Sequence, residues 1–319
     1  VKLGFVSDSL GNMGFDELLD TASGLGVSGV EINTGGWSAA PHSDLEAMKI
    51  SADARRDFRM AFGDRSLEIV SLNANGNPLH PTDPAQGECL NDTICVAGNT
   101  GISTVCRMSG LPAGGATDTM PNWVVSSWPP ETQHILDYQW NEALLPYWRE
   151  IVDLASSAGV KRIALELHGN QCVYNVPSLL KLREAVGPIV GANLDPSHLF
   201  WMGADPLAAA TALGEAIYHV HAKDTLLNTP VQATTSLLEN GDLMDIPARS
   251  WSCVTLGFGH GEEWWRQLCY HLRMAGYDGW LSIEHEDVLL NSLEGLEKSV
   301  ALLNGVMPVA PSDFTPQAI

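Results

Sequence analysis

Short apolar runs rich in β-branched residues recur along the chain, each bounded by a polar cluster: Lys2–Val6, Gly29–Ile32, Leu67–Leu72, Ile102–Cys106, Arg162–Glu166, Ile189–Leu194, Ile217–His221 and Trp280–Glu284. Between them lie stretches whose apolar positions repeat near 3.6 residues: Phe15–Leu25, Leu45–Phe62, Tyr138–Ser156, Val176–Ala185, Pro206–Leu213, Glu262–Ala275 and Leu293–Leu303. The first pattern predicts strands and the second amphipathic helices. Alternation of this kind predicts parallel strands buried on both faces, and eight repeats predict an α/β fold closed as a (β/α)8 TIM barrel. No Gly-x-Gly-x-x-Gly follows the first strand, which leaves a doubly wound open sheet second.

Three stretches break the alternation: His80 to Glu88, Gly110 to Glu131, and Leu226 to Gly261. They follow strands three, four and seven and are expected as long loops on the C-terminal face, where a barrel keeps its active site. The barrel domain is expected over residues 1–306, with a Pro-rich tail at 307–319.

Composition narrows the function. The 319 residues hold 38 acidic against 17 basic side chains, a formal charge of -21, which disfavours nucleic acid and anionic membranes as partners. No apolar stretch is long enough for a membrane span, and six scattered cysteines without a C-x-x-C pair read as reduced thiols, so a cytoplasmic protein is expected.

The chemistry lies at the strand ends, where a polar side chain belongs only if it faces the mouth. Ser7, Asp8, Glu31, Asn33, Asn73, Asn75 and Arg107 close strands one to four. Glu166, His168, Asn170, Asp195, His198, His221, Lys223, Glu284 and Glu286 close strands five to eight. Glu166, Asp195, His221 and Glu284 each follow apolar strand residues on adjacent strands. Carboxylates crowded in a low-dielectric mouth repel one another unless protonated or bridged by a cation, so these four are the expected metal ligands. Three carboxylates and one imidazole form a fairly hard set, which favours Mn²⁺, with Mg²⁺, Co²⁺, Fe²⁺ or Zn²⁺ open.

The same residues carry a resemblance. Gly29-Val30-Glu31-Ile32, Leu165-Glu166-Leu167-His168, Leu194-Asp195-Pro196-Ser197-His198, His219-Val220-His221-Ala222-Lys223-Asp224 and the run Gly279 to Asp287 resemble, in order, the xylose-isomerase-like barrel superfamily. That group includes ketose 3-epimerases, inosose dehydratases, sugar phosphate isomerases/epimerases and endonuclease IV. The resemblance implies a sugar isomerase or epimerase acting by proton abstraction α to a carbonyl, through a metal-stabilised enediolate. It implies metal ligation by Glu166, Asp195, His221 and Glu284, with Glu166 and Glu284 also doing acid–base work. His168 and His198 are further catalytic candidates, and His198 resembles the substrate-binding histidine of the epimerases. His219 is expected on the opposite side of its strand from His221, in a structural role.

Asn33, Asn73, Asn75, Arg107, Asn170 and Lys223 are expected to bind polyol hydroxyls, with Trp123, Trp140 and Trp201 able to stack on a sugar ring. The long loops, carrying Trp123 and Trp251, depart from the small epimerases and resemble the catalytic subunits of C-glycoside deglycosylases. The alternative function is therefore a lyase on 3-oxo glycosides, with His134, His168 or His260 as base, or an inosose-type dehydratase. A homo-oligomer or a small partner subunit is compatible with either. A non-enzymatic sugar-binding protein ranks lower. An endonuclease IV-like nuclease also does, because more histidine ligands and a basic groove are missing.

Overall fold

A computed structural model gives the architecture, and the structure describes residues 1–315. Among the described residues ten strands occur in chain order: β1 (Lys2–Val6), β2 (Gly29–Gly36), β3 (Glu68–Asn75), β4 (Thr104–Arg107), β5 (Arg162–Glu166), β6 (Val190–Leu194), β7 (Ile217–Ala222), β8 (Asp224–Leu227), β9 (Trp251–Val254) and β10 (Trp280–Ile283). Eight close into a parallel barrel in the order β1-β10-β7-β6-β5-β4-β3-β2. Closure is made by β10 against β1, from Lys2 opposite Trp280 to Phe5 opposite Ile283. β6 is buried at all five positions, as expected for a strand with packed side chains on both faces.

Helices coat the barrel. Trp148 and Trp265, both fully buried, fill the layer between helix and sheet. Trp148 also donates its indole N–H to Ser109 O at 2.9 Å, so truncating it to alanine would cost about 3–5 kcal/mol.

Four expectations change. The single helix expected over Leu45–Phe62 is two, Leu45–Ile50 and Ala52–Gly63, because Ser51 is extended and caps the second by accepting from Ala54 N at 3.1 Å. The helix expected from Tyr138 begins as a π-wound turn, Tyr138–Leu144, and becomes regular only at Leu145–Ala158, where Pro146 has no N–H for the preceding turn. The loop expected at His80–Glu88 gives way to a helix, Ala85–Thr100. Its inward stripe includes Thr93, which satisfies its hydroxyl on Cys89 O and Thr34 Oγ1, so the apolar period is broken where the helix packs. The stretch from Leu226 to Gly261 is no plain loop either: β8 and β9 form an antiparallel hairpin, with a short helix, Thr229–Thr235, in the connection.

The start of the tail is tied down by Arg273, which donates to Pro308 O and Ala310 O at 3.2 and 2.7 Å. The end of the expected tail, 316–319, lies outside the described residues. No helix among the described residues is long and apolar enough to cross a membrane.

Candidate metal centre

Register brings the four expected ligands together. Ser282 on β10 lies opposite His221 on β7, and Glu284 N donates to Ala222 O at 3.1 Å, which holds the residue after β10 beside the end of β7. Glu166 ends β5 opposite Asn193 on β6, and Asp195 follows one residue after β6. Glu166, Asp195, His221 and Glu284 each offer one atom, and all four atoms lie within 4.8 Å of one another.

The hydrogen bonds around these atoms are unequal. Asp195 caps the short helix Pro196–Trp201, its Oδ1 accepting from Ser197 N at 2.8 Å. Its Oδ2, fully buried, has no hydrogen-bond partner, although His198 Nε2 stands 3.2 Å away. His221 Nε2 lies 3.2 Å from Glu31 Oε1. An ionised carboxylate only accepts, so Nε2 carries the proton and the other nitrogen faces the cluster. That nitrogen, Nδ1, is also buried without a hydrogen-bond partner, 3.2 Å from Glu284 Oε2 and 3.7 Å from Glu166 Oε2.

Glu31 is the residue beneath. Fully buried, it accepts from His219 Nε2 at 2.6 Å, from His221 Nε2, and from Asn73 Nδ2 at 2.7 Å. A carboxylate behind the distal nitrogen of an imidazole is the usual way a protein orients a histidine ligand. His219 therefore shares the interior face with His221 rather than taking the opposite one: residues two apart on a strand point the same way.

Electrostatics follow the same geometry. Burial penalises every carboxylate here, yet each is held below its usual range: Glu31 well below, by His219 and His221; Glu166 and Asp195, mainly by His198; Glu284, by Lys223 and His221. The cations respond in kind. His198 is raised to about 9 against its burial, by Asp195 and Glu166, and His221 is raised well above normal by Glu284 and Glu31. His168 goes the other way, lowered to about 4 by burial and by the neighbouring His198, whose ring centroid is 4.0 Å distant.

Glu166 accepts from Asn75 Nδ2 at 2.9 Å and lies 2.9 Å from His198 Nε2. Lys223 sits between two carboxylates, 3.1 Å from Glu284 and 2.6 Å from Glu286.

Above the cluster opens a cavity of about 1030 Å³. Asn33, Trp123, Asn170, Lys223, His168, His198, Asn75 and Trp201 line it, together with Glu166 and Glu284. Two of the polar residues expected to bind substrate do not line it, nor does Trp140. Asn73 gives its amide to Glu31. Arg107 is fully buried between the barrel and its helices, bonded to the Tyr147 hydroxyl and flanked by the Tyr147 and Trp148 rings. The alternation that points Cys106 toward Ser71 inside the barrel turns Arg107 outward.

Among the other residues considered, Trp140 is buried beneath the Lys181 ammonium and lines a separate cavity. His134 is exposed on the helix Glu131–Asp137, and His260 stacks on Phe200 and bonds Asp224. Asp8 and Glu286 also line the main cavity, together with residues that sequence reasoning passed over: Trp37, His285 and an apolar group from the β8–β9 connection. Asp8 and Glu286 were visible as polar strand ends, whereas the apolar group lay hidden in a segment read as loop.

The barrel is shared with known proteins. The family model described as xylose isomerase-like TIM barrel matches residues 19–305. An uncharacterized protein of Bacillus subtilis (strain 168), YfiH, is 43% identical over 307 residues, covering 95% of this chain and 98% of that protein. Among solved structures, an IolI protein with a bound zinc atom superposes with a TM-score of 0.66 at 18% identity, covering 96% of this chain and 98% of the other. A D-tagatose 3-epimerase-like protein superposes at 0.62 with 19% identity, covering 96% and 98%. At such identities the two structures establish a shared fold.

Proposed function

The chain belongs to the xylose isomerase-like TIM barrel family, and we propose that it is a divalent-metal-dependent sugar isomerase or epimerase that abstracts a proton α to a carbonyl. The observation that carries this reading is the pair of buried atoms without hydrogen-bond partners, His221 Nδ1 and Asp195 Oδ2, in one cluster with Glu166 and Glu284. One atom from each of the four residues lies within 4.8 Å of the others, a spacing that a single cation can bridge, and these two atoms are free to join in holding it.

Glu166, Asp195, His221 and Glu284 would hold the ion. The oxygen-rich set favours Mn²⁺ or a similar hard cation over a thiolate-type zinc site. The zinc in the IolI structure, on the same fold, supports a divalent ion in general. When bound, a divalent cation supplies Lewis-acid polarisation of a carbonyl and its neighbouring hydroxyl.

The protein's own groups handle the proton. Glu166 and Glu284, kept ionised by His198 and Lys223, are the bases within the mouth. His198 Nε2, 2.9 Å from Glu166 Oε1, is set to pass a proton to or from that carboxylate. His168, held neutral by burial and the adjacent His198, serves as a hydrogen-bond partner for substrate rather than as a proton acceptor. Asn33, Asn170 and Lys223 provide hydrogen bonds for hydroxyls, and Trp123 and Trp201 provide apolar faces.

The test is solvent deuterium exchange with Mn²⁺-loaded protein and a panel of ketoses, inososes and 3-oxo glycosides, read by mass and NMR. Deuterium should enter at the carbon next to the carbonyl, and Glu284→Gln should abolish it. Fully loaded protein that labels none of the panel would contradict the reading.

A further inference from the structure

A second cavity lies beside the main one. It measures about 360 Å³, at the small end of the range of roughly 300–1,000 Å³ in which proteins hold small ligands. Trp123 and Val125 line both cavities, so the two are neighbours. None of Glu166, Asp195, His221 and Glu284 lines the second.

Two of its polar side chains are fixed from behind. Gln139 and Gln171 are each 1% exposed, and one end of each amide is held by the backbone. Gln139 Nε2 donates to Asn122 O at 2.6 Å, and Gln171 Oε1 accepts from Gly110 N at 2.7 Å. A carbonyl only accepts and a backbone N–H only donates, so neither amide can turn over without losing its bond. The other ends, Gln139 Oε1 and Gln171 Nε2, have no hydrogen-bond partner among the described residues, and both side chains line the cavity. Each buried amide therefore keeps one hydrogen-bonding atom available to water or to a ligand.

Other groups at the cavity favour negative charge. The Trp123 indole N–H is buried without a partner. The Lys181 ammonium lies 3.8 Å from the centre of the Trp140 ring and has no carboxylate within ion-pair distance among the described residues. Although the chain carries 38 acidic side chains, none of the described residues lining this cavity is Asp or Glu. The helix Val176–Val186 also starts here, with Asn175, Pro177 and Ser178 in the lining, and a helix N-terminus carries about half a positive charge. Lys181 follows one turn later on the same helix face.

One ammonium with amide and indole donors, and no carboxylate to oppose them, suits a ligand with a single negative charge. Gln139 Oε1 adds an acceptor, which needs a donor such as a hydroxyl on that ligand. Leu111, Leu136 and Trp140 supply apolar surface for a carbon skeleton.

We infer that this cavity is a second ligand site that takes a small hydroxycarboxylate, with its carboxylate on Lys181 and the Gln171 amide and a hydroxyl on Gln139 Oε1. The inference stands apart from the metal reading, because it uses none of the proposed metal ligands.

The test titrates D-gluconate, D-galactonate, L-malate and L-lactate into Mn²⁺-loaded protein by calorimetry, with D-glucitol and inorganic phosphate as controls and metal content measured on the same samples. At least one acid should bind about 10-fold or more tightly than either control. Lys181→Met, at an exposed position that leaves the fold intact, should weaken that acid about 5- to 10-fold. Gln171→Glu keeps the acceptor for Gly110 N but turns the free donor into a negative oxygen, and should weaken it about 10- to 100-fold. Bound Mn²⁺ should be the same in both variants.

No binding by any of the acids overturns the inference. Glucitol or phosphate bound as tightly as the best acid overturns it too, by removing the carboxylate or the carbon skeleton from the recognition. An acid that binds Lys181→Met with parental affinity lies elsewhere, on the metal cluster of the main cavity, and this also overturns the second site.

Discussion

Glu31→Gln isolates the oriented histidine from the ligands themselves. The substitution keeps shape and volume but replaces a carboxylate that accepts from three N–H groups, two of them on His219 and His221, with an amide that has one acceptor oxygen. One imidazole must then meet the amide N–H₂. Either His219 loses its bond or His221 shifts its proton to Nδ1, the nitrogen proposed to ligate the ion. Hydrogen bonds to charged groups are worth about 1.5–3 kcal/mol each, and losing such a partner behind a metal-bound histidine typically costs about 10–100-fold in affinity.

Because Glu31 is buried against two imidazoles, a stability loss of about 3–5 kcal/mol accompanies the loss of charge. Mn²⁺ titration should therefore give one ion per chain, bound about 10–100-fold more weakly than in the parent, with a lower melting temperature. Unchanged affinity would refute the orienting role. So would complete loss of binding in a folded variant, which would make Glu31 a ligand.

Gly169→Ala would place a methyl 2.2 Å from the Trp201 ring, which cannot retreat because Trp251 is stacked against it. Overpacking of this kind costs about 1–3 kcal/mol, so thermal melts should shift down and tryptophan fluorescence should change while Mn²⁺ stoichiometry stays at one. An unaltered emission spectrum would show the ring is free to move. His168 should stay neutral until about pH 4 in metal-free protein, because burial and the His198 cation oppose a second charge. Its folded value is below the unfolded one near 6.5, so its contribution to stability is full above about pH 6.5 and is lost as pH falls toward 4. Imidazole NMR titration checks this, and a midpoint near 6.5 would contradict it. Lys223→Met leaves Glu284 without its cation in a buried setting and should destabilise the protein by about 3–5 kcal/mol at neutral pH, measured by denaturant unfolding; a change below about 1 kcal/mol would show that solvent screens the pair.

The barrel was legible because its strands are buried on both faces and therefore read as unbroken apolar runs. β1 and β5 run over the expected residues, Lys2–Val6 and Arg162–Glu166. Convergence of Glu166, Asp195, His221 and Glu284 was legible too, since a polar residue at the end of such a run has only the mouth to face. What lay beyond reach depends on long-range partners. Glu31 was visible as a polar strand end, but its pairing with His221 spans 190 residues. Arg107 had the same signature as Asn75, and only the local alternation of β4 decides that it turns outward. The helix Ala85–Thr100 escaped because Thr93 and glycines interrupt its apolar stripe. The apolar group of the β8–β9 connection escaped because Leu238 and Leu243 show no period, being held by a hairpin rather than by a helix.

The central claim is that four side chains from consecutive barrel strands hold one divalent ion. Metal-stripped protein reloaded with Mn²⁺ and analysed by elemental analysis and electron paramagnetic resonance tests it directly. One tightly held ion per chain with a single imidazole nitrogen in its coordination, weakened severely in both Asp195→Asn and Glu284→Gln, is the predicted result. An ion retained at full affinity in both variants, or no stoichiometric binding in the parent protein, would contradict the account.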